Sequence, residues 1–144
     1  MLGPRDLTLH HIGCVVDSIE NRIESYRIGL GSVSVSKIFE DPIQRSRVAF
    51  LDLPSPGSVQ LELVEPAASD SPVAHFLQKG GGLHHLCYLV DDLEAQIQWM
   101  KSQHAVLIRS PKPAVAFGGR RIAWMRTSDA LLIEYLERRA SSSG

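Results

Sequence analysis

Residues Leu83–Glu94 read LHHLCYLVDDLE. Leu83–Val90 is an apolar run with β-branched and aromatic residues, which predicts a strand. Asp91 then offers a helix N-cap, and the acidic and apolar residues after it open a helix. The same pattern stands earlier, at Leu9–Glu20, as LHHIGCVVDSIE. At a spacing of 74 residues His10 corresponds to His84, His11 to His85, Val16 to Val90, Asp17 to Asp91 and Glu20 to Glu94. Four of the six histidines lie in these two doublets, so the chain reads as two copies of one module.

A second pair of segments extends the repeat. Leu61–Glu65, LELVE, corresponds to Ile133–Glu137, IEYLE. Each copy therefore opens on a histidine strand and closes on a glutamate strand. Two copies make a pseudo-symmetric domain and not a solenoid.

Composition narrows the class. The 144 residues suffice for one domain with a sizeable core. An apolar fraction of 44% and a charged fraction of 22% are those of an ordinary globular protein. The net charge of −1, without a basic run, argues against nucleic acid or an anionic membrane as partner. No apolar run reaches the ~20 residues of a spanning helix, and the N-terminus has no signal-peptide apolar core. Cys14 and Cys87 sit inside strand patterns, which predicts free buried thiols in a reducing cytoplasm. The last residues, 140–144, read as a disordered tail.

In chain order the first module, 7–66, starts with strand Thr8–Val16, then a helix capped by Asp17 and stopped by Gly31. Strands follow at Ser32–Phe39, Ser46–Leu53 and Ser58–Glu65. A linker with a short helix, Ser71–Gln78, and the glycines 80–82 lead to the second module, 83–138. That module reads strand Leu83–Val90, helix Asp91–Gln103, strand Val106–Arg109, loop Ser110–Gly119, and strands Arg120–Arg126 and Ala130–Glu137. The expectation is a single domain over 1–139, α+β, built from two βαβββ modules.

Alternation assigns faces. Gln60, Glu62 and Val64 point one way, and Val59, Leu61 and Leu63 the other. Leu132, Glu134 and Leu136 oppose Leu131, Ile133 and Tyr135. The second sets are apolar enough to pack on helices, so Glu62 and Glu134 lie on the opposite sheet face. His11 and His85 hold equivalent positions in their own strands. A lone strand histidine is usually a packing residue, and a lone strand glutamate usually faces solvent. Four coordinated placements across a repeat instead predict a metal site, because buried carboxylates need a partner. Two histidines and two carboxylates suit zinc, cobalt, nickel, manganese or iron. The neighbouring His10 and His84 are assigned to packing or to hydrogen bonds behind the site.

At this point the residues resemble a known family, the vicinal oxygen chelate superfamily, which includes glyoxalase I and methylmalonyl-CoA epimerase. The matching pieces are HHIGCVV, VQLELVEP, DSPVAHFLQKGGGLHHLCYLVDDLE, GGRRIAWM and LLIEYLE, which span nearly the whole chain. The resemblance implies an eight-stranded sheet curled around a metal cleft, with His11, Glu62, His85 and Glu134 as metal ligands. It implies a metal-dependent isomerase, epimerase or lyase acting on an α-carbonyl compound or acyl thioester through an enolate, with Glu134 or Glu62 as the proton-transferring base. Gln60, Arg120 and Arg121 are the candidate substrate contacts. The implied partner is a small molecule, with a CoA thioester the favoured kind, and the implied assembly is a homodimer. The pattern departs from the epimerase branch at Pro42–Ser46. That branch carries an acidic residue there, and this chain has Glu40 and Asp41 just upstream instead. A non-catalytic binding or resistance protein, or a biosynthetic enzyme on the same scaffold, is the alternative.

Overall fold

A computed structural model describes residues 3–54 and 56–139; the expected tail at 140–144 lies outside them. Strands β1 (Thr8–Val15), β2 (Phe39–Asp41), β3 (Ser46–Asp52), β4 (Gln60–Pro66), β5 (Gly82–Val90), β6 (Val106–Pro113), β7 (Arg121–Arg126) and β8 (Leu132–Glu137) alternate with helices α1 (Ile19–Leu30), α2 (Ala74–Gln78) and α3 (Leu93–Ser102). The α+β class and the eight strands are those expected. No helix among the described residues is long and apolar enough to cross a membrane.

The chain divides into two compact units, one spanning His11–His84, the other combining residues up to His10 with those from His85 onward. In the first unit β1 pairs in parallel with β4, and β4 and β2 each pair antiparallel with β3. In the second, β5 pairs in parallel with β8, β8 antiparallel with β7, and β7 antiparallel with β6. Each unit is thus β-α-β-β-β, with the parallel contact made by the strand before the helix and the last strand.

The two cores occupy the same positions of the repeat. One gathers Val16, Ile19, Ala49, Leu51, Leu61 and Leu63. The other gathers Val90, Leu93, Ala123, Met125, Ile133 and Tyr135. In both, the helix covers the odd-numbered face of the third and fourth strands, so the even-numbered residues Glu62 and Glu134 go to the other face. Fully burying a leucine such as Leu63 or Leu93, both 0% exposed, stabilises by roughly 1.5–3 kcal/mol. That burial fixes the register, because a slip of one residue would turn every core side chain outward.

Several boundaries differ from the sequence reading, for local reasons. The helix caps are Ser18 and Asp92, one residue after the expected Asp17 and Asp91. Ser18 accepts the amide of Asn21, and Asp92 that of Ala95. Asp17 is left free to bind Arg22, whose guanidinium lowers the Asp17 carboxyl to about 2. Ser32–Phe39 is not a continuous strand: only Val35 bridges to Leu51, and β2 begins at Phe39. Serine hydroxyls take ladder positions there, since Ser36 Oγ accepts the Phe50 amide and Ser32 Oγ donates to the Ser34 carbonyl. β6 runs on to Pro113, and Val115–Phe117 forms a 3₁₀ turn, where a loop over 110–119 was expected. An edge strand tolerates Pro111 and Pro113 because its outer amides need no partner.

Candidate functional site

The paired residues identified in the sequence are brought together within each unit. In the first, β1 lies beside β4, and His11 Nε2 stands 3.3 Å from Glu62 Oε1. In the second, β5 lies beside β8, and His85 Nε2 stands 3.4 Å from Glu134 Oε1. The four residues are 0%, 5%, 4% and 3% exposed in the order His11, Glu62, His85, Glu134. Each imidazole meets an aromatic ring edge-on: His11 meets Phe50 with centroids 5.6 Å apart, and His85 meets Trp124 at 4.6 Å. Phe50 and Trp124 stand directly opposite Glu62 and Glu134 on the neighbouring strands, so an aromatic ring at one repeat position packs against each histidine ring.

These pairs fit a divalent ion. Two donors that share one ion at about 2.1 Å, roughly a right angle to a tetrahedral angle apart, stand about 3.0–3.4 Å from each other. That is the spacing seen in both pairs. Imidazole nitrogen and carboxylate oxygen are also the donor types of zinc, iron, cobalt, nickel and manganese sites, and a cation offsets the cost of burying a carboxylate.

The remaining candidates fall elsewhere. Gln60 shares the Glu62 face of β4 and donates to Asp52 Oδ1 at 2.8 Å. Arg120 donates through Nε to the Phe117 carbonyl at 3.1 Å and through one terminal nitrogen to the carbonyls of Glu137 and Arg138. Arg121 is held by Glu137 and Glu94 at 2.8 and 2.6 Å, on the helix-covered face of the sheet. Those two carboxylates raise the guanidinium pKa further above its ordinary value. The carboxylates before β3 are likewise engaged. Asp41 Oδ1 accepts the amides of Ile43 and Gln44, both at 3.0 Å, and Glu40 lies 3.6 Å from Arg47 Nε. His10 and His84 pack edge-on against Phe117 and Phe76, as expected. Cys14 and Cys87 are buried and are not joined in a disulfide. Sequence reasoning missed Phe50 and Trp124; their equivalence in the repeat was the signal that could have found them.

A strand doublet with a glutamate partner, repeated once in an eight-stranded α+β chain, defines a class. The chain belongs to the glyoxalase/bleomycin resistance protein/dioxygenase superfamily, whose family model matches residues 10–124. It is 38% identical over 135 residues to an uncharacterized protein of Bacillus subtilis, covering 90% of this chain and 91% of that one. It is 31% identical over 123 residues to the ethylmalonyl-CoA/methylmalonyl-CoA epimerase of Cereibacter sphaeroides, covering 84% and 89%. Its fold matches the crystal structure of methylmalonyl-CoA epimerase from Mycobacterium tuberculosis with a TM-score of 0.82 and 28% identity, covering 96% of this chain and 93% of that one.

Proposed function

We propose that His11, Glu62, His85 and Glu134 together hold one divalent ion, and that the protein is an isomerase of the epimerase kind acting on an acyl-CoA thioester. The observation that carries this reading is the pair of repeat-related, buried His–Glu contacts with almost equal spacing. The acyl-CoA substrate class is supported by the names of the relatives, several of which are methylmalonyl-CoA epimerases.

A bound divalent ion supplies Lewis-acid polarisation of a carbonyl oxygen, which acidifies the adjacent C–H. The chain's own residues do the rest. Glu134 or Glu62 takes the proton from the carbon next to the thioester carbonyl, and the electron pair of that C–H bond delocalises toward the carbonyl. Return of the proton to the same face regenerates the substrate, and return to the opposite face inverts the centre. Phe50 and Trp124 hold the two imidazoles in place and exclude water. Gln60, on the face of Glu62, offers the substrate an amide. Arg120 and Arg121 act from behind, holding the C-terminal end of β8, three residues beyond Glu134. The reading includes a cytoplasmic location, for which the two buried thiols speak, and a homodimer, as the family resemblance implies; sedimentation checks the assembly.

The test is metal analysis of purified protein after chelation and reloading. The reading expects about one equivalent of divalent metal per chain. Protein that takes up none at micromolar excess contradicts it.

A further inference from the structure

The two halves differ in one respect that the repeat does not predict. On β7, Ile122, Trp124 and Arg126 share the face of Glu134, because Trp124 is opposite Glu134 and Arg126 is opposite Leu132, while Ala123 and Met125 belong to the helix-covered core. Across the next ladder, Arg109 stands opposite Trp124, Lys112 opposite Ile122 and Val106 opposite Arg126. Two register shifts in β6, between Leu107 and Arg109 and between Arg109 and Lys112, bring both cations to that face. Arg126 and Lys112 are exposed and Arg109 is half-buried. None of the three forms an ion pair among the described residues, whereas Arg22, Arg27, Arg45, Arg47, Arg121 and Arg138 all do. The equivalent positions of β3 hold Val48, Phe50 and Asp52, with Phe39 and Asp41 of β2 beside them. One half therefore carries three cations without an ion pair among the described residues, where the corresponding positions of the other half carry one carboxylate, Asp52.

We infer that Arg109, Lys112 and Arg126 form a binding strip for the phosphate groups of a nucleotide-bearing thioester, and that this strip selects coenzyme-linked substrates over short ones. The placement fits. Adjacent strands lie about 4.8 Å apart, so Arg109 on β6 is two strands, about 10 Å, from Glu134 on β8. A small acyl group at Glu134 does not cover that distance; a ligand with a long neutral arm ending in phosphates does. Arg126 and Lys112 flank Arg109 along the edge, over roughly 13 Å of β7 at 3.3 Å per residue. Guanidinium and ammonium groups left without carboxylate partners are suited to phosphate oxygens. Binding the far end of a substrate is also how an enzyme positions its reacting end. The inference rests on the acyl-thioester reading above, and names which part of that substrate the second half recognises.

The test needs no turnover. Coenzyme A and pantetheine are titrated into metal-loaded protein by calorimetry at low and at high salt. Wild type should bind coenzyme A at least tenfold more tightly than pantetheine, and the gap should shrink with salt. The double variant Arg109→Ala/Arg126→Ala, checked by circular dichroism, should bring the two affinities within about twofold. Lys112→Ala should narrow the gap by a smaller factor. A wild-type protein with no gap, or with no measurable binding of either compound, overturns the strip, as do variants that keep the full gap. Failure of the underlying reading looks different: a protein with the gap but no thioester proton exchange keeps the strip and loses the reaction. One that exchanges protons of a short thioester without the gap keeps the reaction and loses the strip.

Discussion

Arg121 stands in the second half of the chain where Arg47 stands in the first, and each joins a strand glutamate to a helix glutamate. Arg47 meets Glu65 at 3.1 Å and Glu20 at 2.8 Å; Arg121 meets Glu137 at 2.8 Å and Glu94 at 2.6 Å. Both triads clamp the helix end onto the sheet behind the His–Glu pair. Arg47→Met and Arg121→Met should each destabilise by about 1–2 kcal/mol, since the strand glutamates are nearly buried and the helix glutamates are not. Urea unfolding measures this. Arg47 holds the Glu20 carboxyl below its usual range, so that part of the stabilisation is present above ordinary carboxylate pKa values. It is lost as the pH falls through the lowered one. An Arg121 variant of unchanged stability and weakened substrate binding would instead place that guanidinium at the ligand.

Gly81 has a positive φ of 68°, and a Cβ there would come within 2.7 Å of the Val15 carbonyl oxygen. This glycine lets the entry to β5 pass against the end of β1. Gly81→Ala should therefore cost about 1–3 kcal/mol in thermal or urea unfolding, whereas Gly118→Ala, at a similar φ of 64° but with open space around it, should cost less. Equal effects would show that only the backbone conformation matters.

Asp92 caps α3 through the Ala95 amide at 3.0 Å. Asp92→Ala should destabilise by about 1 kcal/mol. Asp91→Ala tests a different role, because Asp91 pairs with Arg138 and its amide donates to Asp6 at 2.7 Å. If Asp91→Ala removed the helix cap and Asp92→Ala did not, the cap assignment would be reversed.

Much of this was legible before any coordinates. The repeat told which residues form each core, because Val16 and Val90, or Leu61 and Ile133, hold one position in two copies. Alternation then put Glu62 and Glu134 on the face away from the helices. The rest depended on details that period-2 and period-3.6 patterns do not carry. Asp17-Ser18 and Asp91-Asp92 each offer two capping residues in a row, so the pattern alone does not choose. Ser36 competes with the backbone for ladder positions, which breaks the expected second strand. Arg109 and Lys112 reach the Glu134 side only through two register shifts in a strand holding two prolines, and a sequence does not announce its bulges.

The proposal that the two His–Glu pairs share one ion has a stoichiometric consequence. His11→Ala and His85→Ala should each lower affinity for a single ion by at least tenfold, and wild type should titrate with about one equivalent per chain. Competition with a chromophoric chelator measures both. Two independent equivalents, one lost with each variant, would mean that each pair holds its own ion.

The most direct test of the central claim is exchange of the α-proton of methylmalonyl-CoA with deuterium from the solvent, followed by nuclear magnetic resonance. The account predicts exchange by metal-loaded wild type, loss of at least a hundredfold in Glu134→Gln, and recovery of wild-type exchange when metal is restored after chelation. Metal-loaded wild type that binds the thioester but exchanges no proton would contradict it.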